Sequence, residues 1–225
     1  MMRVWTRLLI LTLGASVLPT TIGAQSDPTL YVVSYLEALP ASQGQVATML
    51  RQLADASRKA GAVRYDVLQR TPESNQFVIL EIWKDQQALD AHTNAAQTKQ
   101  FRDQVTPLLL APIDSRLCIA TTVAPFRDAR GGVVAVTHVD VAPPGRDAAA
   151  KLIQGFADQS RKDLGNVRFD VTHEKAKSNH FTVIAVWADQ KSADEHQTSA
   201  QTKAFRTQIA PFGGALYDER WYKPL

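Results

Sequence analysis

Along this chain the spacing of apolar residues switches repeatedly between the two-residue period of a strand and the 3.6-residue period of a helix. Leu30 to Glu37 reads as a strand, which Pro40-Ala-Ser-Gln-Gly breaks. Val46, Met49, Leu50, Leu53 and Ala54 then share one helical face, and Gly61 closes that helix. From Val63 to Gln69, Val63, Tyr65 and Val67 alternate with Arg64 and Asp66, giving a strand with one wetter side. After the turn Pro72 to Asn75, Phe77 to Trp83 is apolar on both sides: Phe77, Ile79 and Trp83 on one, Val78, Leu80 and Ile82 on the other. A strand of that kind must be covered twice. Asp85 starts a helix carrying Leu89 and His92, a second helical run reaches Val105 before Pro107, and a last strand covers Asp114 to Val123.

The same order then recurs: strand Val133 to Val141, helix Asp147 to Lys162, strands Val167 to His173 and Phe181 to Trp187, helices over 189–210, strand Ala215 to Tyr222. Phe77, Trp83, Asp85-Gln86, Asp90, His92, Gln97-Thr98-Lys99, Phe101-Arg102 and Pro107 return as Phe181, Trp187, Asp189-Gln190, Asp194, His196, Gln201-Thr202-Lys203, Phe205-Arg206 and Pro211, at a constant offset (187 − 83 = 104). An offset that survives strand, turn and helix means one structural unit encoded twice. The units span 25–123 and 133–225, joined by a linker over 124–132 that contains a proline, charges and a glycine pair.

Helices on one side of a four-stranded antiparallel sheet make each unit α+β and ferredoxin-like. The helices account for one apolar face of each sheet, and the sister sheet is the nearest cover for the other. The expectation is an intrachain version of a homodimer, a closed or nearly closed α+β barrel with a small chamber between the two sheets. The protein would then be a monomer with an internal pseudo-dimer, or a higher homo-oligomer.

Composition changes the picture at the N-terminus. Arg3 and Arg7 precede the apolar run Leu8 to Leu18, and Ile22-Gly23-Ala24 offers a cleavage point, the pattern of a secretory signal peptide over residues 1–24 and hence of a secreted or periplasmic protein. Without those two arginines the remaining 25 − 2 = 23 basic residues face 22 acidic ones. That balance leaves no electrostatic footprint for nucleic acid or anionic membrane. Cys118 is the sole cysteine, flanked by apolar residues, and reads as a small buried hydrophobe. No glycine-rich phosphate loop, CxxC or metal-ligand spacing occurs, so metals and nucleotides have no support.

His92 and His196 are the candidate general bases, because an imidazole titrates near neutral pH, although each could equally tie its helix to a carbonyl. Trp83 and Trp187 could stack on a flat ligand or serve as core. Differences between the copies carry more information, since packing demands are shared. Glu81 shares a face with Phe77, Ile79 and Trp83, which would aim it into the inter-sheet space, and its counterpart is Ala185. A buried carboxylate there would have a raised pKa. Tyr65 becomes Phe169, and Tyr35 stands where the second copy has His138. Arg64 and Arg168, each two residues before an Asp, read as surface ion pairs. The candidate catalytic set is His92, Glu81 and Tyr65; the candidate substrate-binding set is Trp83, Tyr35, His138, Trp187 and His196. If either copy is active, it is the first.

Arg64-Tyr-Asp-Val, Phe77 to Trp83 with Lys-Asp-Gln-Gln-Ala-Leu-Asp-Ala-His92, and Lys99-Gln-Phe101 resemble the antibiotic biosynthesis monooxygenase domain, in particular its quinol-monooxygenase-like branch. The second copy resembles it through Arg168-Phe-Asp-Val, Phe181 to Trp187 and Asp194-Glu-His196. The resemblance implies a dimeric α+β barrel and an oxidoreductase that oxygenates quinols or polyphenols without metal, flavin or haem; its partners would be a small aromatic molecule and dioxygen. A second helix histidine common in the family is Gln97 and Gln201 here, and the haem ligand of the haem-degrading branch falls on Arg102 and Arg206. The rival expectations are a non-catalytic module that sequesters an apolar or aromatic compound, and a barrel packed solid.

Overall fold

The computed structural model describes residues 29–125, 132–215 and 217–225. Residues 1–24, which the sequence pattern reads as a signal peptide, and most of the linker 124–132 lie outside the described residues. The first unit runs β1 (Leu30–Glu37), α1 (Gln43–Lys59), β2 (Arg64–Arg70), β3 (Gln76–Trp83), α2 (Gln86–Asn94), α3 (Ala96–Val105) and β4 (Asp114–Thr122). The second repeats it as β5 (Val133–Asp140), α4 (Arg146–Ser160), β6 (Asn166–Glu174), β7 (His180–Trp187), α5 (Gln190–Thr198), α6 (Ala200–Ile209) and β8 (Asp218–Pro224).

Local chemistry explains the boundaries. The Asp85 carboxylate accepts the Ala88 amide at 2.7 Å and Asp189 accepts that of Ser192 at 2.8 Å, so each capping Asp sets where its helix starts. Gly61 adopts φ 97°, the left-handed conformation that ends α1. The last strand begins later than its apolar pattern suggests. Gly214 still donates to the Asp140 carbonyl, and β8 starts only where Asp218 meets His138 of β5.

All eight strands close into one antiparallel barrel in the order β1-β3-β2-β8-β5-β7-β6-β4. The two sheets join at two seams: β2 meets β8 through Leu68–Pro224, Gln69–Lys223 and Arg70–Tyr222, and β4 meets β6 from Cys118–Glu174 to Thr122–Val171. Closure leaves no free sheet edge.

Three apolar clusters fill this architecture. Tyr31, Val33, Leu68, Val78, Leu80, Ile82, Cys118, Val134, Val136, Ile184, Val186 and Tyr222 occupy the lumen. The other two lie between each sheet and its helices, one around Phe77, Ile79 and Trp83, the other around Phe181, Val183 and Trp187. This corrects the expected chamber between the sheets. An eight-stranded barrel is just wide enough for its own side chains, and these aliphatic residues with the Tyr31 and Tyr222 rings occupy its middle. The odd-numbered residues Phe77, Ile79 and Trp83 of β3 face the helices, and Glu81 points there with them.

Candidate active site in the first unit

Alternation along β3 sets the site. Glu81 lies between Ile79 and Trp83 on the helix-facing side, opposite Val32 of β1 and Tyr65 of β2. α2 brings His92 over it, and α3 contributes Thr98, Phe101 and Arg102. Between them is a cavity of about 200 Å³ whose polar groups include Tyr65, Glu81, His92, Thr98, Arg102 and Ser115, with Leu53, Ile79 and Phe101 among its apolar walls. Of the residues read as candidate catalysts, all three, His92, Glu81 and Tyr65, border this one space.

Trp83 is fully buried and does not line the cavity. It stands behind it, stacking on the His92 ring at 4.6 Å and donating its indole N–H to Glu81 Oε2 at 2.8 Å. It therefore positions the pair and offers no face to a ligand. His92 Nε2 is 3.8 Å from the same Oε2, and its Nδ1 is 3.5 Å from Thr98 Oγ1. Among the described residues Glu81 Oε1 has no hydrogen-bond partner.

Burial penalises charge on every member of this group. It pushes the Glu81 carboxyl up to about 7, against the opposing pull of the Trp83 hydrogen bond and the Arg102 charge. It drives the His92 imidazole down to about 4, assisted by Arg102. The Tyr65 phenol is raised well above its ordinary value, first by burial and then by Glu81. Near neutral pH the site thus holds a neutral imidazole, a neutral phenol and a carboxyl poised to lose or accept a proton. Taking a proton from a phenol of pKa about 10 costs about 4 kcal/mol when Glu81 accepts it and about 8 kcal/mol when His92 does. The proton acceptor that fits is Glu81, with His92 as its neutral neighbour.

The second unit lacks this space. Phe156 stands where Leu53 does, stacks on Phe205 at 4.0 Å and meets Phe169 edge-on at 5.5 Å. What remains is a void of about 20 Å³, bordered by Trp187, His196, Tyr217 and Glu219. His196 is bound to Asp163 through Nδ1 at 2.7 Å, a structural tether. Ala185 supplies no carboxylate, and the buried Trp187 Nε1 has no hydrogen-bond partner.

Tyr35 and His138 come together, but elsewhere. The Tyr35 hydroxyl and His138 Nε2 are 2.6 Å apart across the barrel, with the guanidinium groups of Arg116 and Arg220 over the Tyr35 ring. The inter-sheet pocket expected to unite them with Glu81 does not form, because alternate strand positions separate lumen from helix layer. Arg64 and Arg168 pair with Asp66 and Asp170, and both border a separate cavity of about 390 Å³ near Tyr31.

Sequence reasoning does not single out Arg102 or Leu53 as site residues. Arg206, the counterpart of Arg102, is held by Gln197 and by Glu219, whereas the residue matching Glu219 is Ser115. Among the described residues Arg102 meets no carboxylate, and its charge reaches Glu81 and His92 instead. The signal is present as two substitutions between copies, Glu219 to Ser115 and Phe156 to Leu53. It is unreadable without knowing which positions meet.

The antibiotic biosynthesis monooxygenase family model matches the chain twice, at residues 29–104 and 132–208. The chain belongs to that family, as a tandem of two such domains. "Putative monooxygenase YcnE" of Bacillus subtilis is 32% identical over 82 residues, which is 86% of that protein and 36% of this chain. The crystal structure of a "Putative monooxygenase" from Fusobacterium nucleatum superposes with a TM-score of 0.79 at 15% identity, over 88% of this chain and 93% of that one. One from Lactobacillus acidophilus gives 0.73 at 11% identity, over 88% and 94%. At such identities the two structures speak for the fold of the whole barrel.

Proposed function

We propose that the first unit is a cofactor-independent monooxygenase site for a small phenol or quinol, and that the second unit serves as its structural partner. The observation that carries this is the confluence of Glu81, His92 and Tyr65 on one cavity of about 200 Å³ that is reduced to about 20 Å³ in its sister copy. In this reading Glu81 removes the phenolic proton and Arg102 stabilises the phenolate. The phenolate passes an electron to dioxygen, and the apolar walls keep the radical pair from water. The balanced outcome is replacement of a ring C–H by C=O, with the second oxygen atom leaving as water. For the parent compound, one phenol and one dioxygen give one benzoquinone and one water. The leader-like N-terminal sequence supports action outside the cytoplasm.

Oxygen uptake and quinone formation test this with a panel of phenols and quinols. Glu81→Gln keeps an acceptor for Trp83 yet cannot take a proton, and should lower kcat by about 10²-fold or more. His196→Ala should leave kcat within about twofold. Equal losses in both variants, or full activity in Glu81→Gln, would remove the assignment. Tight binding without turnover in the wild type would favour a sequestering role.

A further inference from the structure

The Glu81 cavity adjoins a second space. A wider, open cavity of about 510 Å³ shares Arg102, Ile113 and Ser115 with it and is otherwise bordered largely by Leu109, Leu110, Ala111 and Pro112, the segment leading into β4. Volume makes the division meaningful. A cavity of about 150 Å³ holds a benzene ring, and sites for whole drug-sized molecules run to about 300–1,000 Å³. The inner cavity of about 200 Å³ therefore suits one ring with small substituents, and anything larger attached to that ring must emerge past Ile113 into the outer one.

The second copy shows that the apolar side chains are not needed to shape this segment. The Leu110 amide donates to the Glu37 carbonyl at 2.8 Å, and Gly214 donates to Asp140 at 2.8 Å in the same way. Leu109 bridges Ala38, and Gly213 bridges Val141. The backbone path is thus held by the same bonds where both leucines are glycines, and Ile113 is replaced there by Tyr217, which closes the inner void. Leu110 is nonetheless 52% exposed, an apolar side chain presented to solvent with no packing duty that its counterpart fulfils.

We infer that the outer cavity is a specificity subsite, and that the substrate is a phenol or quinol bearing an aliphatic substituent, the ring entering the Glu81 cavity and the chain lying along Leu109, Leu110 and Pro112. This rests on the reading of the inner cavity as the ring site. It separates two jobs: the inner polar groups select for an acidic hydroxyl, and the outer shelf selects for apolar length.

The test is anaerobic calorimetric titration of the full chain with hydroquinone and its 2-alkyl derivatives from methyl to hexyl, with oxygen uptake measured in parallel. Affinity should rise roughly threefold to fourfold per methylene until the shelf is filled. Leu110→Ser should flatten that slope, whereas Leu164→Ser, at a leucine 87% exposed on the other unit, should not. Affinity independent of chain length, or an undiminished slope in Leu110→Ser, overturns the subsite even if the ring is oxygenated. A chain-length slope without oxygen uptake upholds the subsite and removes the monooxygenase reading. If no member binds, both fall.

Discussion

The two sheet–helix layers of this barrel are built from one motif and have come to opposite ends. In the first, Leu53, Tyr65, Glu81 and Ser115 leave a cavity with a titratable centre. In the second, Phe156, Phe169, Ala185 and Glu219 fill that volume with rings and neutralise the nearby arginine. The Trp–His ring contact survives in both, with centroids 4.6 Å apart in each, so it belongs to packing and orientation. What distinguishes the copies is free volume and a carboxyl group. A fold supported by a closed barrel tolerates this divergence, because each layer is covered by its own helices and the lumen is common property.

The comparison can be broken most severely by transplanting the plug. Leu53→Phe copies Phe156 into the first layer beside Phe101, and should abolish ligand binding and oxygen uptake by more than about tenfold while far-ultraviolet circular dichroism stays native. The reverse change, Phe156→Leu, should open the second layer at a cost of about 1–2 kcal/mol in denaturant unfolding, from the lost ring contacts and the cavity left behind. Activity created by that opening alone would mean that Glu81 is dispensable.

A second effect follows from protonation. Glu81 has a folded pKa of about 7 against an ordinary 4.5, so the folded state binds its proton more tightly. Its stabilising contribution is complete below pH 4.5 and is lost as pH rises through about 7. Glu81→Gln removes that loss. The variant should therefore gain stability relative to the wild type progressively between pH 4.5 and 7, by about 3 kcal/mol at most, and by a constant amount above. His92 acts in the opposite sense in both proteins: its contribution is present above pH 6.5 and is lost as pH falls through about 4. Activity in the wild type should rise through pH 7 as Glu81 ionises. A pH-independent stability difference would show that the carboxyl is not buried as described.

The smallest expected difference sharpens the role of the tryptophans. Trp83→Phe takes a hydrogen bond from Glu81 Oε2 and should cost about 1–2 kcal/mol beyond the ring change, whereas Trp187→Phe removes an indole N–H that has no partner and should cost less. Equal losses in chemical denaturation would mean the Glu81 bond contributes little.

Much of this was legible in the chain. The duplicated spacing gave two units, Asp85 and Asp189 marked helix starts, and the doubly apolar Phe77–Trp83 strand required covers on both sides, hence a barrel of paired sheets. The alternation also placed Glu81 with Trp83 and separated both from Ile82. Period-two patterning sorts residues into two sets, but when both sets are apolar it carries no sign saying which faces the lumen. The closure of eight strands around one narrow lumen decided that, and so moved the site from between the sheets to beneath the helices. The meeting of Arg102 with Ser115 rather than a carboxylate, the plug by Phe156, and the second cavity beside Leu110 all depend on residues remote in sequence sharing one volume, and volume exists only once the chain has folded.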